Sequence, residues 1–186
     1  MKRILALAVV IFCWGTSMAQ SKFQAVDKSP MDMSYYPNLY PVLKIQDKIT
    51  EPLVARVIFS RPQKNGRIIF GDLIEYEKVW RLGANEATEI EFFQNVRIGG
   101  VKIKKGRYTI YCIPFAEKWT MIINSDTDIW GSFKYDESKD ITRLDVPVQK
   151  QNDLTEYFVM AFEKTGTGAN LMMAWDNIKV NLPITF

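Results

Sequence analysis

Short runs of apolar–polar alternation recur along this chain, and they restrict it to a fold made of β-strands. In Leu53-Val54-Ala55-Arg56-Val57-Ile58-Phe59 every odd position is apolar, while Arg56 and then Ser60 fall on the even set. A period of two sends successive side chains to opposite faces, so the odd set marks a core face. Ile90 and Phe92 alternate with Glu89 and Glu91. Trp119, Met121 and Ile123 share a face, as do Leu144, Val146 and Val148, then Leu171, Met173 and Trp175, then Ile178, Val180, Leu182 and Ile184. Gly99-Gly100 sits between two short apolar runs and predicts a hairpin turn with positive φ. Asp176-Asn177 reads as a second tight turn. Leu154 to Phe162 is almost continuously apolar and fits either a strand buried on both faces or a short helix. No long stretch has helical period. The pattern predicts an all-β chain, an antiparallel β-sandwich of jelly-roll or immunoglobulin-like type. An eight-stranded outer-membrane barrel is the rival architecture. Its strands need about 9–11 residues with one continuous apolar face; most runs here are shorter, and Pro183 interrupts the last.

The ends of the chain have their own logic. Lys2 and Arg3 precede an apolar run from Ile4 to Cys13, and Ser17-Met18-Ala19 supplies small residues before Gln20. This predicts a secretory signal peptide over residues 1–19, since the run is about half of the ~20 residues that span a bilayer. The expectation is export to the periplasm or the exterior, with no membrane span after cleavage. Residues 20–50 carry Pro30, Pro37 and Pro41 among tyrosines, against a continuous helix or a central strand. They predict an N-terminal arm packed by its tyrosines. Residues 51–186 are then expected to form one β-sandwich domain.

Composition removes several chemistries. The chain has no histidine, which excludes Ser-His-Asp and Cys-His catalysis and His-ligated zinc. Formal net charge is +3, and part of that is Lys2 and Arg3. Without those two the chain is nearly neutral and has no basic cluster, so no nucleic-acid partner is expected. Removal of the leader also takes Cys13, leaving Cys112 in the apolar run Ile110 to Ile113, where it reads as a buried, inert thiol. No cofactor or metal is demanded.

One stretch departs from alternation. It runs Ser60-Arg61-Pro62, Lys64-Asn65-Gly66-Arg67, Ile69-Phe70-Gly71-Asp72 and Val79 to Thr88. Counted onward from Phe59, Arg61 falls on the core-facing set. Counted back from Phe92 and Ile90, Thr88 and Glu86 do too. Inward charges at strand ends must be paired or wetted. Arg61, Arg81, Asn85 and Glu86 are therefore predicted to form a polar cluster at one mouth of the sandwich. It serves either as an arginine–carboxylate network pinning a long loop or as a pocket for a polar or anionic ligand. A hydrolase-like alternative pairs Glu86 with Asp72 or Glu75 as acid and base. A third reading is a protein-interaction domain using an exposed sheet face.

Weaker signals compete with plain packing. Asn124, Asp126 and Asp128 imitate the start of a calcium loop, but Ile129 and Tyr135 replace its glycine and glutamate. Met31 and Met33 lack the histidine partners of an exported copper site. Trp119, Trp130 and Trp175 could form a sugar-stacking platform or sit in the core. Lys102, Lys104, Lys105 and Arg107 make a basic hairpin edge of the kind that blocks edge-to-edge pairing.

The run Val79-Trp80-Arg81-Leu82-Gly83-Ala84-Asn85-Glu86-Ala87-Thr88 resembles a family of exported bacterial proteins. So do Ser60-Arg61-Pro62, Lys105-Gly106-Arg107-Tyr108-Thr109 and Ala169-Asn170-Leu171 to Trp175. That family is domain of unknown function 2911, common in Bacteroidetes-type bacteria. The resemblance spans roughly residues 25 to 184 and implies one envelope or secreted domain, with no catalytic residues to carry over. Together with the residues themselves, it gives the expectation of a non-catalytic envelope module that binds a small polar ligand or glycan.

Overall fold

The computed structural model describes residues 25–186. The expected signal peptide and the first residues of the arm lie outside the described residues. In chain order the elements are β1 (Met31–Tyr36), α1 (Tyr40–Ile45), β2 (Ala55–Ser60), β3 (Glu89–Phe92), β4 (Val96–Ile98), β5 (Val101–Ile103), β6 (Gly106–Pro114), β7 (Lys118–Asn124), β8 (Asp140–Pro147), β9 (Gln149–Thr165) and β10 (Gly168–Thr185). A six-stranded sheet has the order β1-β2-β3-β6-β7-β8, and a four-stranded sheet the order β5-β4-β10-β9. Every pairing is antiparallel. The larger sheet is a meander interrupted once, where the β4–β5 hairpin crosses to the smaller sheet. The chain is an all-β sandwich.

Alternation predicts the buried faces well. Val57, Phe59, Ile90 and Phe92 are buried between the sheets, while Arg56 and Glu91 point outward and pair across β2 and β3 at 2.5 Å. Gly99 and Gly100 take φ of 58° and 80° in the β4–β5 turn, a conformation open mainly to glycine and asparagine. Trp80, Trp119 and Trp175 meet in the centre of the core. Trp80 stacks on Trp175 with centroids 6.1 Å apart and meets Trp119 edge-on at 5.7 Å. Each fully buried aromatic contributes about 1.5–3 kcal/mol of transfer free energy.

One expectation needs correction. Asp176-Asn177 is no turn, because β10 runs unbroken from Gly168 to Thr185. Asp176 takes φ of 56°, and the register with β9 shifts on both sides of it. The positive φ at Asp176 interrupts the extended backbone and switches the buried parity from odd (Leu171, Met173) to even (Ile178, Val180), while the surplus residues of the shifted register lie on β9; in sequence the switch imitates a turn. Within the arm, Met31–Tyr36 is a strand. Pro30 and Pro37 flank it without interrupting it, and it lies at the sheet edge, where proline is tolerated. The two alternatives for Leu154 to Phe162 resolve as strand, part of β9.

A second, smaller apolar layer lies on the outer face of the six-stranded sheet. Ala87, Tyr111 and Ile122 are buried there beneath Val79, Ile113, Ile129 and Tyr135. The segment between β7 and β8 therefore folds back across the sheet through Ile129 and Tyr135.

Candidate functional site

The Trp80–Thr88 run is built as an excursion from the sheet. Trp80 pairs with Cys112 of β6 through both backbone bonds, and the Thr88 carbonyl accepts from Ile110 of the same strand. Three residues of β6, 110–112, thus oppose the nine of 80–88, and the surplus must leave the sheet. The exit is closed by the Thr88 amide donating to the Arg81 carbonyl at 3.1 Å and the Thr88 hydroxyl donating to the Leu82 carbonyl at 2.6 Å. Leu82, Gly83 and Asn85 all have positive φ. Inside the excursion, the Trp80 indole N–H donates to the Gly83 carbonyl at 3.1 Å.

Parity fails at Glu86, because β3 begins only at Glu89 and the count runs past its end into a segment that bridges to Trp130. Thr88 is buried as predicted, but Glu86 is exposed and its carboxylate has no partner among the described residues. Counting by twos past the end of a strand does not preserve the face. Arg61 does not meet Glu86 either. Its Nη1 donates to Asp32 of β1 at 3.0 Å and its Nε to the Phe158 carbonyl at 3.3 Å. The arm supplies the compensating charge because β1 covers the edge of β2, with Met31 opposite Ser60. Asn85 contributes its backbone: its carbonyl accepts from the Gly131 amide at 2.9 Å. Arg81 lines a separate depression. The structure therefore joins none of Arg61, Arg81 and Glu86 in one pocket or ion pair.

It brings together something else. The Ala87 amide donates to the Ile129 carbonyl at 2.8 Å, and Gly131 donates to Asn85, so Glu86 and Trp130 are bridge partners. Bonds from the flanking residues define a non-hydrogen-bonded antiparallel pair, in which the two side chains share a face about 4.5–5.5 Å apart at Cβ. Trp130 is 60% exposed. A carboxylate and an indole thus stand side by side at the surface. Trp119 and Trp175, the other members of the platform considered from sequence, are in the core.

Two depressions flank this pair. One, of about 210 Å³, is lined by Ile58, Ala87 and Ile129 together with Glu86, Glu89 and Asp128. The other, of about 420 Å³, is lined by Asp128, Ile129, Trp130, Phe133 and Lys134. The loop is held from below. The Asp128 amide donates to Glu89 at 2.6 Å, and Arg107 pairs with both Asp128 at 2.6 Å and Glu89 at 3.3 Å. Further along the same segment, Tyr135 donates to Asp140 at 2.5 Å and accepts from Arg143 at 2.8 Å. Burial first, then the Asp140 hydrogen bond, raises the Tyr135 phenol, while burial pushes Tyr111 beneath it up to about 12. Residue patterns do not single out Phe133 or Lys134, and they single out Asp128 only as a member of a failed calcium loop. The available signal was a tryptophan and a phenylalanine in a polar, non-alternating loop, where no strand could bury them.

Arg81 lines a different depression, of about 150 Å³, together with Glu75 and Lys78 and with Ser132 of the same loop. Neither Asp72 nor Glu75 lines the depression of Glu86, so the acid–base pairs considered from sequence do not share a cleft. Cys112 is fully buried, and burial pushes its thiol well above the usual range.

No curated protein and no solved structure is significantly similar to this chain. A family model described as a protein of unknown function (DUF2911) matches residues 41–184, which span β2 to β10 and both loops that meet at Glu86 and Trp130. The chain belongs to the DUF2911 family.

Proposed function

We propose that the protein is an exported, non-catalytic cell-envelope module that holds a saccharide against Trp130. The observation that carries this reading is the adjacency of two exposed side chains, the Trp130 indole and the Glu86 carboxylate, on one face of a backbone bridge. An indole offers a flat apolar surface to the C–H face of a sugar ring. A carboxylate beside it accepts hydrogen bonds from ring hydroxyls, and charge-assisted bonds are the stronger kind. Phe133, 85% exposed, extends the apolar surface. Glu86, Glu89 and Asp128 make the Trp130 face unfavourable for an anion, which favours a neutral polyol there. The backbone bonds between the two loops and the Arg107 pairs hold the surface in place before a ligand arrives, which lowers the ordering cost of binding.

The test is calorimetric titration of the protein with soluble envelope oligosaccharides, repeated with Trp130→Ala and Glu86→Gln. Saturable binding that both substitutions weaken is the expected result. Absence of binding across the panel, or binding indifferent to Trp130→Ala, would overturn the reading. Export is tested by fractionating expressing cells and sequencing the mature N-terminus, which should begin at Gln20.

A further inference from the structure

The Arg81 side chain has no hydrogen-bond or ion-pair partner among the described residues, and its Nε is shut off from solvent. Burial alone lowers its pKa, with no carboxylate contributing. Its Nε has lost hydration without gaining an acceptor, which is costly, while the rest of the half-buried guanidinium is open to the depression. Arg81 is held there by its backbone. It is the last residue before the excursion, and its carbonyl is tied to Thr88. Since Trp80 faces the core opposite Cys112, alternation sends Arg81 to the outer face.

The depression it lines, about 150 Å³, is small. Lys78 shares the lining, and so does Ser132, whose hydroxyl donates to the Val79 carbonyl at 3.0 Å. Glu75 also lines it, but is exposed and makes no ion pair with Arg81 or Lys78. We infer that this depression binds an oxyanion, a carboxylate or a sulfate or phosphate group, with Arg81 as the fork-shaped donor and Lys78 as the second positive charge. Guanidinium matches planar and tetrahedral oxyanions bidentately. The site stands independently of the saccharide reading, although Ser132 lies two residues from Trp130 and an acidic substituent on a bound saccharide has the same chemistry as a free anion.

The experiment is an NMR amide titration at constant ionic strength, exchanging chloride for inorganic sulfate. Saturable shifts at Lys78, Arg81 and Ser132 are expected. Arg81→Gln should abolish them, and Glu75→Gln should strengthen binding by removing the competing negative charge. If Arg81→Gln does not fold, the exposed Lys78→Gln replaces it and should weaken binding roughly tenfold. A parallel arm compares a uronate oligomer with its neutral counterpart. Tighter binding of the uronate than of sulfate, dependent on both Arg81 and Trp130, assigns the anion to a saccharide. Sulfate binding without uronate preference assigns it to a free anion. Shifts near Arg81 that never saturate, or that survive intact in the substituted protein, overturn the inference and leave the Trp130 surface untouched.

Discussion

Ser60 and Ala84 are locked together from both sides: the Ser60 hydroxyl donates to the Ala84 carbonyl and accepts from the Ala84 amide, each at 2.6 Å. The pair fastens the tip of the excursion to the end of β2. A Cβ on Gly83 would lie 2.6 Å from the same hydroxyl, at a φ of 150° that side chains rarely adopt. Ser60→Ala should cost about 1–3 kcal/mol by orphaning two backbone groups, and Gly83→Ala should cost at least as much. Urea denaturation measures both. A change within about 0.5 kcal/mol, the size of a surface substitution, would mean that the excursion is held by other contacts.

Trp130 separates binding from stability. Its side chain is mostly in solvent, so Trp130→Ala should leave the unfolding midpoint almost unchanged. Saccharide affinity should fall tenfold or more, which corresponds to about 1.4 kcal/mol. Loss of both together would instead make Trp130 a structural residue.

The phenol of Tyr111 sets an alkaline limit on stability. Burial comes first among the causes, followed by the charges of Asp126, Asp140 and Glu89, and together they raise it to about 12 from an ordinary 10. Above pH 10 the unfolded chain releases this proton while the folded chain keeps it. Its contribution is complete below pH 10 and is lost as pH rises toward 12, on the order of 2 kcal/mol in all. Denaturation curves at pH 9 and 11 should show this drop, and Tyr111→Phe should reduce it. An equal drop in the variant would assign the effect to the other raised phenols, Tyr36, Tyr108 and Tyr135.

Cys112 should be silent in the native protein. It is fully buried and its thiol is raised by burial, so the reactive thiolate is scarce and inaccessible. A chromogenic disulfide reagent should label Cys112 only at the rate of unfolding, accelerating with urea. Fast labelling without denaturant would show that β6 opens locally.

Much of the architecture is written in the residues themselves. Alternation at Val57, Phe59, Ile90 and Phe92 assigns the core face, since strand pleating is a local property with a period of two. Gly99-Gly100 specifies its own hairpin because positive φ at two successive residues suits little else. Only the tertiary structure decided where the charges went. Glu86 lies beyond the start of β3 at Glu89 and pairs with Trp130, so the strand's alternation does not reach it, and the partner of Arg61 is Asp32, in an arm 29 residues away. Glu86 and Trp130 meet because backbone groups left over from the excursion bond to a loop between two later strands. Pairing at that separation depends on which chains the sandwich lays side by side, and no local period encodes it.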